Sequence, residues 1–154
     1  MENTESYDTV QTSAEAVPEF SLERPCNGAI LRDCSIDRLV YCETMDDWRT
    51  HNGIDIAAAI GDPVKAAEAG IVSQVYKDQL LGVVVVIDHQ NGTTTLYANL
   101  QNEGFIQPGT VVKKGDIIGG VGKCGALEAN LATHLHFEVQ TDGRYRDPGE
   151  FIAF

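Results

Sequence analysis

Cationic side chains are scarce: 11 Lys and Arg stand against 23 Asp and Glu, a formal net charge of −12. Phosphate recognition needs clustered Lys and Arg, so nucleic acid and anionic membrane surfaces are poor partners. Long hydrophobic runs are missing, since none approaches the ~20 residues of a membrane span. No basic start followed by an apolar stretch reads as a signal peptide. The chain is therefore expected either to be cytosolic or to lack its export or anchor segment. The four cysteines, Cys26, Cys34, Cys42 and Cys124, fit no C-x-x-C spacing for zinc or redox work. They read as buried free thiols, although an oxidising compartment would allow one or two disulfides. Histidine is equally rare, with four in the chain, yet two of them share the stretch "HLHFEV" at 134–139.

The acidity is uneven. Residues 1–20 hold Glu2, Glu5, Asp8, Glu15 and Glu19 but no Lys or Arg. With Thr, Ser and Gln and few aliphatics, the segment reads as a disordered tail or linker. Residues 21–154 are then one domain, a length that suits a single core.

Short strand patterns separated by turn residues fill that domain. Residues 29–33 and 38–42 are expected to form a first pair, and 44–51 to contain one helical turn. Further strands are expected at 53–58, 63–67, 70–77 and 82–89. The last of these carries "VVVVI", β-branched throughout, as a strand buried on both faces should be. Asn91-Gly92 and Asp142-Gly143 are hairpin signals. "TVVKKGDIIGGVG" reads as two short strands around Gly115-Asp116, and 126–134 as a short helix or a loop. Many strands, frequent turns and 15 glycines point to an all-β sandwich or partly closed barrel.

Successive side chains on a strand alternate faces. His134 and His136 therefore share one face, roughly 6–7 Å apart at Cα, while Leu135 and Phe137 face the core. Upstream, "HNGIDI" places His51 four residues before Asp55, and Gly53 permits a bend that brings both inward. Imidazole, carboxylate and imidazole make a three-ligand set, the pattern of a catalytic zinc that keeps one position open. Such a zinc lowers the pKa of its water to about 7. Each pair alone is a weak signal. Together, in one small β domain with four histidines, they are considerably stronger, though they name no substrate. Glu138 shares the face of His134 and His136, and either orients a ligand imidazole or is a solvated carboxylate. Trp48 and Tyr97 read as packing aromatics near the site.

The ordered series "HNGIDIAA", "VKAAEAGIV", "VVVVIDHQNGTTTLYANL", "VVKKGDIIGGVG" and "HLHFEV" resembles the LytM/lysostaphin-type zinc metallopeptidases. The resemblance covers roughly residues 50–150. It implies a LytM-type antiparallel sandwich or partly open barrel with short helical turns. It also implies Zn2+ as cofactor and peptide cross-links of bacterial peptidoglycan as substrate. The family's metal ligands fall on His51, Asp55 and His136, and its catalytic H-x-H histidine on His134. His89 matches a position that is often histidine and reads as structural.

One position departs from the pattern. Active members read Y-x-H-L where this chain has "YANL", so Asn99 occupies the place of a second active-site histidine. Asn cannot carry a proton at neutral pH, and a positioned acid–base group is worth ~10²–10⁴-fold in rate. Together with "RLVYCETMDDWRTHNGIDIAA", this variation resembles the stage II sporulation protein Q family. That resemblance implies an extracytoplasmic domain whose membrane anchor is not in this chain. Its implied partner is a stage III sporulation protein AH-like protein, in a mother cell–forespore channel. The resulting expectation is an interaction module with a weakened peptidase site, and the alternative is an active zinc endopeptidase. A biotinyl- or lipoyl-carrier reading of "PGTVVKKGDIIGGV" fails on its lysines, since neither Lys65 nor Lys123 stands in a carrier context.

Overall fold

The two runs that read most clearly as strands, 82–89 and 134–139, become inner strands of one antiparallel sheet. The structure, a computed structural model, describes residues 21–42, 47–123 and 132–152. The acidic segment 1–20 and most of 126–134 lie outside the described residues. Among those described, the strands run β1 (Ile30–Arg32), β2 (Ser35–Cys42), β3 (Asp47–His51), β4 (Ile54–Ala57), β5 (Pro63–Lys65) and β6 (Gly70–Asp78). They continue as β7 (Gly82–Asp88), β8 (Thr93–Leu100), β9 (Val111–Val112), β10 (Ile117–Gly120), β11 (His134–Thr141) and β12 (Arg144–Arg146). A 3-10 turn at Pro148–Glu150 follows.

The main sheet has eight strands in the order β9-β6-β7-β8-β11-β4-β1, with β12 also on β11. One long side of β11 pairs with β8. The other side is shared in succession by β4, opposite residues 134–137, and β12, opposite 139–141. Two further two-stranded sheets, β5 with β10 and β2 with β3, complete the fold. The all-β, LytM-type architecture expected from the sequence is present, with antiparallel sheets that do not close.

Two local expectations are corrected. Residues 29–33 do not pair with 38–42. Instead β1 pairs with β4, covering a buried strand edge whose N–H and C=O groups need partners, and β2 pairs with β3. Of the segment 44–51 expected to contain a helical turn, 44–46 lie outside the described residues and 47–51 form a strand, its backbone satisfied by the ladder to β2. The two short strands read around Gly115-Asp116 are present, β9 pairing with β6 and β10 with β5. The Asp142-Gly143 hairpin forms as expected, with φ of 51° and 82°, the double left-handed turn that fits strand twist.

β11 is buried on both faces but differently on each. Leu135, Phe137 and Val139 enter the apolar core with Ile56, Ile87, Val85 and Tyr97. Tyr97 packs against Phe137 with ring centroids 5.3 Å apart. Fully burying such a side chain is worth about 1.5–3 kcal/mol. The other face of β11 carries His134, His136 and Glu138, each buried. An apolar face thus anchors a strand whose opposite face is polar and enclosed.

Buried polar atoms beneath the sheet are chained together. Ala67 N–H donates to the Tyr97 hydroxyl at 2.9 Å, which lies 2.7 Å from Thr95 Oγ1. Thr95 in turn meets His89 Nε2 at 2.8 Å, and His89 Nδ1 meets the Ala69 carbonyl at 2.7 Å. A carbonyl only accepts, so Nδ1 carries the proton and Nε2 accepts from Thr95. Tyr97 then donates to Thr95. His89 and Tyr97 are structural in this arrangement, as read from the sequence.

Candidate metal centre

Strand register builds the site. His136 stands directly across from Asp55 on β4, while Phe137 faces Ile54 and Leu135 faces Ile56 on the core side. His51 ends β3, and its backbone N–H donates to Ser35 Oγ at 3.0 Å. Only Gly53 fits between the two motif residues. A Cβ there would lie 2.1 Å from the Phe137 carbonyl oxygen and 2.8 Å from Glu138 Cγ. Close backbone approach, rather than an unusual bend, is what requires this glycine.

The groups converge on Asp55, which is fully buried. Its Oδ1 lies 2.8 Å from His136 Nδ1 and 3.7 Å from His134 Nε2. Its Oδ2 lies 3.3 Å from His51 Nε2 and 4.0 Å from Arg32 Nη1, yet accepts no hydrogen bond. The His51 and His136 rings are 5.1 Å apart. Among the described residues, ligand atoms of His51, Asp55 and His136 all fall within 4.8 Å of one another.

Hydrogen-bond partners assign the imidazole protons. His51 Nδ1 faces the Asp33 carbonyl at 2.9 Å and His134 Nδ1 faces the Ala132 carbonyl at 2.7 Å. Both nitrogens must donate, so each Nε2 turns a lone pair towards Asp55. Both nitrogens of His136 face carboxylates at 2.8 Å, Nδ1 towards Asp55 and Nε2 towards Glu138, so a cation on the Asp55 side would take the Nδ1 lone pair and leave the proton on Nε2. The centre is thus a set of acceptors facing acceptors. An added proton on His136 would relieve one contact but not His51 Nε2 against Asp55 Oδ2. A divalent cation relieves all of them. With zinc–ligand bonds of about 2.0–2.1 Å, tetrahedral ligand atoms stand about 3.3 Å apart, within the spread of the contacts here. The donor set of two imidazoles and a carboxylate suits zinc.

Cys34 is not in that ligand group. Burial first, then Asp147 and Glu138, push its thiol up to about 12. Cys26 and Cys34 are both free. The side chain of Trp48 and all of Cys124 lie outside the described residues.

Asn99 sits beside this cluster in the left-handed region, at φ 69°. Its amide donates to the His134 carbonyl oxygen at 2.6 Å, and its Oδ1 is buried without a hydrogen bond. A cleft of about 370 Å³ opens next to these candidate ligands, bordered by His51, His136, Glu138, Tyr76 and Tyr145. Burial, then nearby carboxylates, raise both phenols above their ordinary 10.0, so they face the cleft as hydroxyl donors. Arg32 and the Asp33 and Ala132 carbonyls escaped the sequence reading. Backbone acceptors leave no residue signature, and Arg32 reaches Asp55 only through the β1–β4 register.

The profile of Peptidase family M23 matches residues 49–148. The chain belongs to peptidase family M23. It is 39% identical over 101 residues to the DD-carboxypeptidase/endopeptidase Mpg of Neisseria meningitidis, a match covering 66% of this chain and 22% of that protein. It is 35% identical over 102 residues to stage II sporulation protein Q of Bacillus subtilis, covering 65% of this chain and 35% of that one. The chain thus spans a third or so of these M23 relatives at most. Among solved structures, a zinc-containing peptidase from Vibrio cholerae superposes with a TM-score of 0.73 at 30% identity, covering 84% of this chain and 40% of that one. A chain of the SpoIIIAH–SpoIIQ complex superposes at 0.72 and 26% identity, covering 84% and 99%. This M23 domain is therefore related both to peptidoglycan endopeptidases and to a sporulation protein.

Proposed function

We propose that this M23 domain is a zinc-binding interaction module with a weakened peptidase site, assembling with a SpoIIIAH-like partner in an extracytoplasmic channel between mother cell and forespore. In this reading residues 1–20 are a linker and 21–154 the domain. The observation that carries it is Asn99. Its amide is bonded to the backbone of His134, and an amide holds no transferable proton at neutral pH. The likeness to a chain of the SpoIIIAH–SpoIIQ complex supports the partner class.

His51, Asp55 and His136 would hold the zinc, through Nε2, a carboxylate oxygen and Nδ1. Zinc supplies a Lewis acid that polarises a peptide carbonyl and acidifies a bound water. His134, fixed by Ala132 with its Nε2 lone pair turned inward, can take one proton. Asn99 can neither take nor return one. A missing acid–base group lowers the rate by ~10²–10⁴-fold without removing the ligands.

A second reading is a working endopeptidase on peptidoglycan peptide cross-links, favoured by the complete ligand set and the inward lone pair of His134. The deciding experiment loads the domain with zinc and measures muropeptide release from purified peptidoglycan, with Asp55→Ala as the blank, beside binding to a SpoIIIAH-type ectodomain. Partner binding with no release above the blank supports the module. Efficient release overturns it in favour of the endopeptidase.

A further inference from the structure

The run His134-Leu135-His136-Phe137-Glu138 places three polar side chains on one buried face of β11. Two of them already belong to the centre. Glu138 does not, yet it is only 6% exposed. An uncompensated buried carboxylate is costly, so it needs a specific partner. That partner is His136: Oε2 lies 2.8 Å from Nε2, while Nδ1 on the other side of the ring lies 2.8 Å from Asp55.

We propose that Glu138 is a positioning residue that fixes which nitrogen of His136 meets the metal. A cation on the Asp55 side needs the Nδ1 lone pair, and Glu138, whose carboxylate lies 2.8 Å from Nε2, is the acceptor that then keeps the ring proton on Nε2. The hydrogen bond also fixes the ring plane and makes Nδ1 a stronger donor to a cation. Without Glu138, the lowest-energy neutral tautomer is the opposite one. Nδ1–H would then donate to Asp55, and a proton would occupy the position a metal needs.

The same carboxylate ties the two motifs together. Glu138 Cγ would lie 2.8 Å from a Cβ at position 53. The glycine between His51 and Asp55 is the surface on which the Glu138 stem rests. The first motif supplies two ligands and also seats the group that orients the third.

This inference rests on His51, Asp55 and His136 being the metal set, and its test separates the two claims. Zinc affinity is measured by chelator competition for wild type, Glu138→Gln, Glu138→Ala and His51→Ala. The His136 tautomer is read in the metal-free proteins from imidazole 15N shifts. Glu138→Ala is expected to weaken zinc 10–100-fold and to shift the metal-free His136 proton to Nδ1. Glu138→Gln, whose amide oxygen can still accept from Nε2–H when zinc is bound, should recover part of the affinity that Glu138→Ala loses. A Glu138→Ala protein with wild-type tautomer and affinity within twofold of wild type overturns the proposal. Equal loss in the Gln and Ala variants, with the tautomer unchanged in both, overturns it as well. If wild type and His51→Ala bind zinc equally weakly, the metal reading fails, and the tautomer shift still decides the role of Glu138.

Discussion

Replacing Gly53 with Ala puts one methyl group where the fold has no room. The added Cβ would sit 2.1 Å from the Phe137 carbonyl oxygen and 2.9 Å from its carbonyl carbon, against a floor of 3.0 Å for real Cβ contacts. Withdrawal by at least about 0.9 Å, the difference between 3.0 and 2.1 Å, is therefore forced. Phe137 cannot supply that movement. Its backbone is laddered to Ile54 on one side and Tyr97 on the other, and its ring is fully buried. The segment carrying His51 and Asp55 must move instead. Overpacking of this kind costs about 1–3 kcal/mol, which at this chain length lowers Tm by roughly 2–12 °C.

The functional consequence is sharper than the loss of stability. Ligand geometry must hold within ~0.5 Å, so zinc affinity should fall at least about tenfold. Gly143→Ala is the control. Gly143 also resists substitution, but through its φ of +82°, and nothing lies within 4 Å of its absent Cβ. It should lose about 1–2 kcal/mol through left-handed strain and keep wild-type zinc affinity. Calorimetry and chelator competition on both variants separate the two effects. Wild-type Tm and affinity in Gly53→Ala would refute the steric account. Destabilisation with unchanged affinity would refute the coupling of that glycine to the metal set.

Asn99→His should raise muropeptide release towards the ~10²–10⁴-fold that a positioned acid–base group supplies, because histidine, like asparagine, tolerates the left-handed backbone at this position. No gain in the zinc-loaded variant would place the defect elsewhere. Stripping zinc should lower Tm: at free zinc 100 times Kd the metal adds about 2.7 kcal/mol, or roughly 5–11 °C, and Asp55→Ala should abolish the difference. Burial lowers the folded pKa of His89 below its ordinary 6.5, against weaker opposition from the Ala69 carbonyl, Glu68 and Asp88. The unfolded chain then binds that proton more readily, so this contribution is full above about pH 6.5 and fades as the pH falls through the folded value. Tm measured from pH 7.5 to 5 should drop less steeply in His89→Gln than in wild type, and parallel slopes would refute the assignment.

The strands with a clear period or a fully apolar run were legible before any coordinates. β7 is β-branched and buried on both sides. β11 announced its two faces by placing Leu135 and Phe137 between His134, His136 and Glu138. The hairpin at Asp142-Gly143 was legible because only a few residue types accept two consecutive positive φ values. Pairing was less legible than strand existence. Residues 29–33 look as ready to pair with 38–42 as with anything else, and the choice is made by the open edge of β4, a tertiary fact with no local signature. The strand at 47–51 failed for the same reason, since its partner ladder decides its conformation.

That His51, Asp55 and His136 come together could be read because chemistry restricts the candidates: few residue types ligate zinc, and four histidines leave few combinations. What could not be read was the direction in which each ring faces. That depends on the carbonyls of Asp33 and Ala132, which any residue would provide, and on Glu138, whose place on the face was clear but whose partner was not. Asn99 shows the limit most plainly. Sequence marks it as a lost proton carrier. The structure adds that its amide is bonded to the backbone of the strand carrying His134. An asparagine here carries no acid–base proton, and its amide holds the backbone of the strand that bears both His134 and His136. Zinc affinity and turnover are therefore separable by experiment: Asn99→His changes whether that side chain can carry a proton and leaves the side chains of His51, Asp55 and His136 in place.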